Sequence, residues 1–385
     1  MTRPPLRALA LAALSLVGCG DDATPTPWRP PSTLSIAAPP GFPPMAVPAD
    51  NAFNVDKAEL GRWLFYDRRL SGNQMQSCGS CHRQSLAFTD GRAHGLGSTG
   101  QMHPRSPMGL SNVAYFASFA WANPLVTSLE RQALLPLFGE SPVELGMAGR
   151  EDELIARVRA DARYQQMFPR AFPGEAMPFS VANVVKAIAT FERTLLSADS
   201  PYDRYQRGDT AAMSASALRG QQLYFGERME CFHCHGGFAF TDSVTSANDR
   251  FAETPFHNTG LYNIDGRGAY PEATRGVMDV TQSPADMGRF KAPTLRNVEV
   301  TAPYMHDGSI ATLDEAFDHY AAGGRTIASG PNAGDGSRSP LRDGFVHGFT
   351  ITPQERQDLL AFLRALTDRT FLTDARFADP YGNER

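Results

Sequence analysis

Hydrophobic positions along this chain recur mostly at helical spacing. Val184, Ile188, Phe191 and Leu195 fall on one helical face, and so do Leu359, Phe362, Leu363 and Leu366. Thr352, Pro353 and Glu355 mark the start of the second of these helices: a capping residue, a Pro suited to the first turn, and a Glu that completes a capping box. Leu313, Ala316, Phe317 and Tyr320 recur at i, i+3, i+4 and i+7 in a helix starting near Thr312. Tyr320 is therefore expected on the buried face, and His319 on the opposite one with Asp314, Glu315 and Asp318. Strand-like alternation is scarce, so the pattern predicts a mainly α fold with long loops.

The pattern also repeats. Leu60-Gly61-Arg62-Trp63-Leu64-Phe65-Tyr66 precedes a loop, then Cys78 to His82, then Phe88-Thr89-Asp90. Arg219-Gly220-Gln221-Gln222-Leu223-Tyr224-Phe225 precedes a shorter loop, then Cys231 to His235, then Phe240-Thr241-Asp242. A short amphipathic helix, a Cys-containing motif and a Phe-Thr-Asp turn in the same order argue for two units of one architecture. Pro, Gly and Asp cluster between Ser197 and Asp209, which places the boundary there.

The first residues read as an address. Arg3 and Arg7 form a basic region, and Ala8 to Val17 are almost all apolar, a run too short to span a bilayer. Leu16-Val17-Gly18 before Cys19 has the form of a lipoprotein cleavage site, with Cys19 lipidated and Gly20 pointing to the outer rather than the inner membrane. Residues 22–50 are rich in Pro, Thr, Ser and Ala and read as a tether. The expected layout is a signal peptide over 1–18, the lipidated Cys and tether over 19–50, and units over 51–203 and 204–385. This is a periplasmic protein that meets a membrane only through its lipid. Lys plus Arg number 36 against 41 Asp plus Glu, a net charge of -5, which gives no footing for nucleic acid.

The five Cys are Cys19, Cys78, Cys81, Cys231 and Cys234. Apart from Cys19, all lie in two C-x-x-C-H motifs, and none remains for a disulfide. Two thiols about one turn apart can add to the two vinyl groups of one haem, and the following His offers a ring nitrogen to its iron. Cys78, Cys81 and His82 would hold one c-type haem, and Cys231, Cys234 and His235 the other. A zinc site would not explain a His after each second Cys. The fold expectation is thus two c-type cytochrome domains, each wrapped around one covalent haem. An electron carrier needs two protein ligands on both irons, whereas a peroxidase needs one open iron face with an acid–base group beside it.

Gln76-Ser77-Cys78, Phe88-Thr89-Asp90-Gly91, Pro293-Thr294-Leu295-Arg296-Asn297 and Pro303-Tyr304-Met305-His306-Asp307-Gly308 resemble the bacterial di-haem cytochrome c peroxidases and MauG enzymes. The likeness covers nearly all of residues 48–374. Trp121-Ala122-Asn123-Pro124, His257 to Asn263 and the Gly323 to Gly336 loop are most similar to the methanobactin-associated, MbnH-type enzymes. The resemblance implies that the first haem meets hydrogen peroxide, with Gln132, Pro136 and Glu144 on that side and Glu144 as the acid–base group. It implies that Trp121 relays electrons between the haems, and that one calcium ion binds Asn112, Thr301 and Pro303. The position of Tyr320 is Met in the peroxidases and Tyr in MauG, so Tyr320 is expected as the second haem's distal ligand. Met229 stands where MauG has a surface Trp, which implies another exit for oxidising equivalents. His94 and His103 are read as loop residues, with a distal-ligand role on the first haem as the alternative.

The function implied is a MauG-type oxidase that uses peroxide to reach a high-valent haem state. It would oxidise a residue of a partner protein, converting Trp to kynurenine on an MbnP-type copper-binding protein. A di-haem peroxidase fed by small cytochromes is the alternative, and a non-enzymatic electron carrier the second.

Overall fold

The computed structural model describes Met1 and residues 34–382, so the signal peptide and Cys19 lie outside the described residues. Helices dominate: α1 (Val55–Tyr66), α2 (Cys78–Cys81), α3 (Leu129–Phe138), α4 (Glu151–Ala160), α5 (Ala162–Ala171) and α6 (Val181–Glu192), then α7 (Pro201–Gln206), α8 (Ala215–Tyr224), α9 (Cys231–Cys234), α10 (Met278–Thr281), α11 (Leu313–Ala321) and α12 (Pro353–Arg364). Among the described residues, regular strand is confined to the antiparallel pair β1 (Thr326–Ile327) and β2 (Gly334–Asp335), with Thr326 opposite Asp335. The mainly α reading holds, and the expected capping boxes start both α11 and α12.

Each haem motif is backed by a helix crossing built from the sequence repeat. In the first unit α1 packs on α6, burying Leu60, Leu64 and Phe65 against Val184, Ile188 and Phe191. In the second, α8 packs on α12, burying Ala217 and Tyr224 against Leu359, Phe362 and Leu363. Both crossings turn on a Gly at the same place in the repeat. A Cβ on Gly61 would lie 1.9 Å from the Ala187 carbonyl oxygen, and one on Gly220 would lie 1.9 Å from that of Asp358. Backbone meets backbone at these points, so neither can yield. Helix propensity alone would make Gly220→Ala stabilising by about 1 kcal/mol. We expect the opposite, a loss of about 3 kcal/mol from forced separation of the helices. Thermal unfolding of the haem-loaded protein decides between them by the direction in which the midpoint moves.

Two segments depart from the expected layout. Residues 34–50 are not a free tether. Leu34 and Met45 are buried, and Phe42 packs edge-on against Tyr115 and Phe238 while Arg296 lies over its ring at 4.8 Å. The carbonyls of Pro43 and Pro44 accept from the Tyr115 hydroxyl and the Ala247 N–H, each at 2.9 Å. The segment straps both units because its Pro-rich backbone is extended and its sparse apolar side chains share a groove. The chain end crosses the other way. Phe371, Leu372 and Phe377 join the first unit's core, and Arg62 and Tyr66 donate to the carbonyls of Ala378 and Phe377 at 2.9 and 2.8 Å. Residues after 370 thus pack with the first unit rather than wholly with the second.

The Pro293 to Asn297 motif joins the halves. Arg296 forms a buried bidentate pair with Asp203 at 2.9 and 3.0 Å. The Asn297 amide donates to the Ser111 and Ser197 hydroxyls and accepts from the Asp368 N–H at 2.7 Å. Every polar group here has a partner, which fixes one arrangement of the units.

Candidate active site

The second C-x-x-C-H motif forms α9 at the wall of a 230 Å³ cavity. Cys231, Cys234 and His235 line it, as do Tyr224, Phe290, Leu359, Leu363 and Tyr320. His235 Nδ1 lies 3.0 Å from the Pro293 carbonyl oxygen, to which it donates. That bond sets the tautomer and leaves the Nε2 lone pair for a metal. Tyr320 enters from α11, as its periodicity requires, and its hydroxyl has no hydrogen-bond partner among the described residues. His319 does not lie on an exposed face. It is 4 % exposed, and neither ring nitrogen has a partner. Arg325 and the Thr259 backbone lie near its ring, so tertiary cover overrides the polar face that Asp314, Glu315 and Asp318 define. His319 is not among the cavity-lining residues.

Two thiols one turn apart, an imidazole with its second nitrogen committed, and an apolar cavity with an unpartnered phenol on its wall together fit a c-type haem. The same cavity reaches Trp121, whose Nε1 donates to the Ser106 carbonyl at 2.8 Å. Met229 is buried in the cavity wall rather than displayed on the surface.

Two charged groups of this cavity were not legible as functional in the sequence. His257 sits between Asp242 and Asp343, 2.7 Å from each. Burial works to lower its pKa, but the two carboxylates outweigh it and raise the value to about 12, so the imidazole is a fixed cation. Lys291 is fully buried, donates to the Ser118 carbonyl at 2.8 Å and lies 3.9 Å from the Phe116 ring centre. Burial pulls it down to about 7, against the attraction of Asp242. Its backbone N–H also bonds the Trp121 carbonyl at 2.8 Å, so Lys291 holds the Trp121 loop at two points. His257 opens a stretch that the sequence singled out only for its resemblance, and Lys291 stands just before Pro-Thr-Leu-Arg-Asn.

The first motif forms α2, capped by Ser77 and Ser80. A Cβ on Gly79 would strike the Tyr66 ring at 2.3 Å, which explains the small residue between the thiols. His82 Nδ1 donates to the Phe88 carbonyl at 2.7 Å, and the left-handed backbone at Ala87 and Phe88 (φ 51° and 65°) forms the turn that carries this acceptor. Non-glycine residues in that region cost energy and need a surrounding structure that enforces them. Two thiols one turn apart and an imidazole whose second nitrogen is committed fit a second c-type haem.

Gln132 and Pro136 lie one turn apart on α3, both half-buried. Leu145 N–H bonds the Pro136 carbonyl at 2.8 Å, which draws the Glu144 loop onto this helix. The Glu144 side chain is 40 % exposed, yet burial pushes its pKa up to about 7. Its electrostatic reach to Cys78 and Cys81 places Glu144 beside the first motif. His103 Nε2 lies 3.8 Å from Glu144 Oε1, and His94 Nδ1 is buried without a partner. Nearby Glu192 is buried with Oε2 unpartnered, and burial raises it to about 8.

Of the expected calcium ligands, Asn112 is fully buried, and its amide pairs with the Ser197 backbone in both directions at 2.9 Å. One lone pair of its oxygen remains. The carbonyls of Thr301 and Pro303 accept no hydrogen bond among the described residues, and these oxygens suit a hard cation.

Comparison with known proteins gives the same picture. The family model for di-haem cytochrome c peroxidases matches residues 55–211. The cytochrome c peroxidase IdrP1 of Denitromonas iodatirespirans is 36 % identical over 343 residues, 85 % of each chain. The methylamine utilization protein MauG of Methylorubrum extorquens is 33 % identical over 321 residues, 83 % of this chain and 80 % of that one. A solved structure described as a MauG-like protein associated with microbial copper homeostasis is 50 % identical, with a TM-score of 0.88 over 90 % of this chain and 99 % of that one.

Proposed function

The chain belongs to the di-haem cytochrome c peroxidase and MauG family, and from that premise we propose that it uses hydrogen peroxide to oxidise a residue of a partner protein. We infer Trp-to-kynurenine conversion on an exported, MbnP-type copper-binding protein, with the enzyme carried in the periplasm on a lipid at Cys19. The observation that carries this reading is Tyr320, an unpartnered phenol in the second haem cavity where a peroxidase would have a thioether. The similarity to the copper-homeostasis protein supports the choice of partner.

The haems, held by Cys78, Cys81 and His82 and by Cys231, Cys234 and His235, would supply the redox chemistry of peroxide reduction. Glu144 takes the proton from one peroxide oxygen and delivers it to the other, which leaves as water. Gln132 orients the peroxide, and Pro136 lies one turn further along the same helix. His82 and His235 are held for iron by the Phe88 and Pro293 carbonyls. Trp121, held by Ser106 and Lys291, acts as the relay. A calcium ion on Asn112, Thr301 and Pro303 would brace the join between them.

The test incubates the haem-loaded enzyme, peroxide and the candidate copper-binding partner, followed by peptide mass spectrometry. The expected result is a peroxide-dependent Trp-to-kynurenine mass change at one site. An unmodified partner together with fast turnover of reduced small cytochrome c would move the function to peroxide removal.

A further inference from the structure

We propose that His103 is a positioning residue for Glu144, holding the acid–base carboxylate toward the first haem pocket through its Nε2–H. This rests on the acid–base role of Glu144 argued above, and it assigns His103 a place other than that of an iron ligand or a bystander in a loop.

The geometry has three parts. First, the loops carrying the two residues are stapled together. Ser98 N–H donates to the Glu144 carbonyl at 2.6 Å, and Val143 N–H donates to Gln101 Oε1 at 2.9 Å. Gly97 lies so close that a Cβ there would fall 1.9 Å from the Val143 carbonyl oxygen. The loop of residues 95–103 closes on itself through Gly97 N–H to Gln101 O at 2.8 Å and His103 N–H to Gly95 O at 2.8 Å. His103 and Glu144 therefore belong to one braced unit.

Second, the ring turns Nε2 toward the carboxylate. Arg105 N–H donates to His103 Nδ1 at 3.1 Å, which is shorter than the 3.3 Å from Nδ1 to the Arg105 carbonyl. In the tautomer that accepts from the Arg105 amide, Nδ1 carries the lone pair and the ring proton resides on Nε2. That is the nitrogen facing Glu144 Oε1, at 3.8 Å. The gap is longer than a hydrogen bond, as is common for catalytic pairs before substrate binds, and it closes by a small side-chain rotation or through one water.

Third, burial lowers the His103 pKa, and so do the nearby Arg105 and His94, against a raising contribution from a backbone hydrogen bond to Arg105. The groups facing the pair are Arg105 and His94 from the loop of His103, and Cys78 and Cys81 from the haem motif. Arg105 is turned toward Asp279 of α10, 3.5 Å away. A neutral N–H donor beside Glu144 favours its charged form, the form able to accept a proton from peroxide.

The experiment measures the rate of first-haem bleaching by peroxide against pH in stopped flow, using haem-loaded protein. In His103→Phe the midpoint of the profile is expected to rise by about one pH unit, making the reaction about tenfold slower on the acid side. His103→Gln, which keeps an N–H donor, restores the midpoint. His103→Asn, whose amide is too short to reach, shifts it as Phe does and serves if the Phe variant fails to take up haem. Adding His103→Phe to Glu144→Gln slows the reaction no further. An unmoved midpoint in the haem-loaded Phe or Asn variant overturns the proposal while leaving Glu144 its role. A Glu144→Gln rate equal to wild type is a separate pattern, which removes the acid–base reading and His103 with it.

Discussion

Glu144→Gln is expected to slow peroxide activation at the first haem by about 10²- to 10⁴-fold, the range for loss of a positioned acid–base group. Gln matches the shape of Glu and keeps a polar contact with the pocket, but it cannot accept a proton at neutral pH. The wild-type pH profile carries the same information. Burial holds the Glu144 carboxyl near 7, so the proton-accepting form grows as pH rises through that value and is lost below it. The wild-type rate should therefore climb through neutrality, and the residual rate of Glu144→Gln should be flat there. Stopped-flow mixing with peroxide reads both, and a Gln variant as fast as wild type would remove Glu144 from the mechanism.

Tyr320→Phe should leave the fold intact and abolish the proposed oxidation of the partner protein. The Tyr320 hydroxyl has no partner among the described residues, so its removal breaks no protein hydrogen bond and costs little stability. What it would remove is the proposed hard, anionic ligand for iron. A phenolate favours the oxidised metal, whereas a thioether raises the potential and favours the reduced one. The oxidised spectrum of the second haem should change, and partner oxidation should fall at least about tenfold. Peroxide should still react at the first haem, because Gln132, Pro136 and Glu144 belong to the other unit. An unchanged second-haem spectrum would sink the ligand assignment, and with it the main ground for preferring protein oxidation to peroxide removal.

Much of this site was legible before any coordinates. Two C-x-x-C-H motifs name their cofactor because the covalent chemistry is local: thiols and imidazole must lie within five residues. The faces of α6, α11 and α12, and the capping boxes of α11 and α12, follow from short-range periodicity and hydrogen bonding. The repeat even marked Gly61 and Gly220, although the reason for Gly at those places appears only when Ala187 and Asp358 press against them.

The remainder was decided by contacts between distant parts of the chain. His319 looks exposed by periodicity and is buried under neighbours that include the distant Thr259 segment. Residues 34–50 look like a tether by composition, yet they strap both units, because a groove containing Tyr115, Phe238 and Arg296 exists only once those units have met. The charge on His257 depends on Asp242 and Asp343, and the proposed role of His103 on a carboxylate 41 positions further on. Period and motif report what a residue does with its near neighbours in sequence. Electrostatics and cover are set by neighbours in space, and those the chain acquires only by folding.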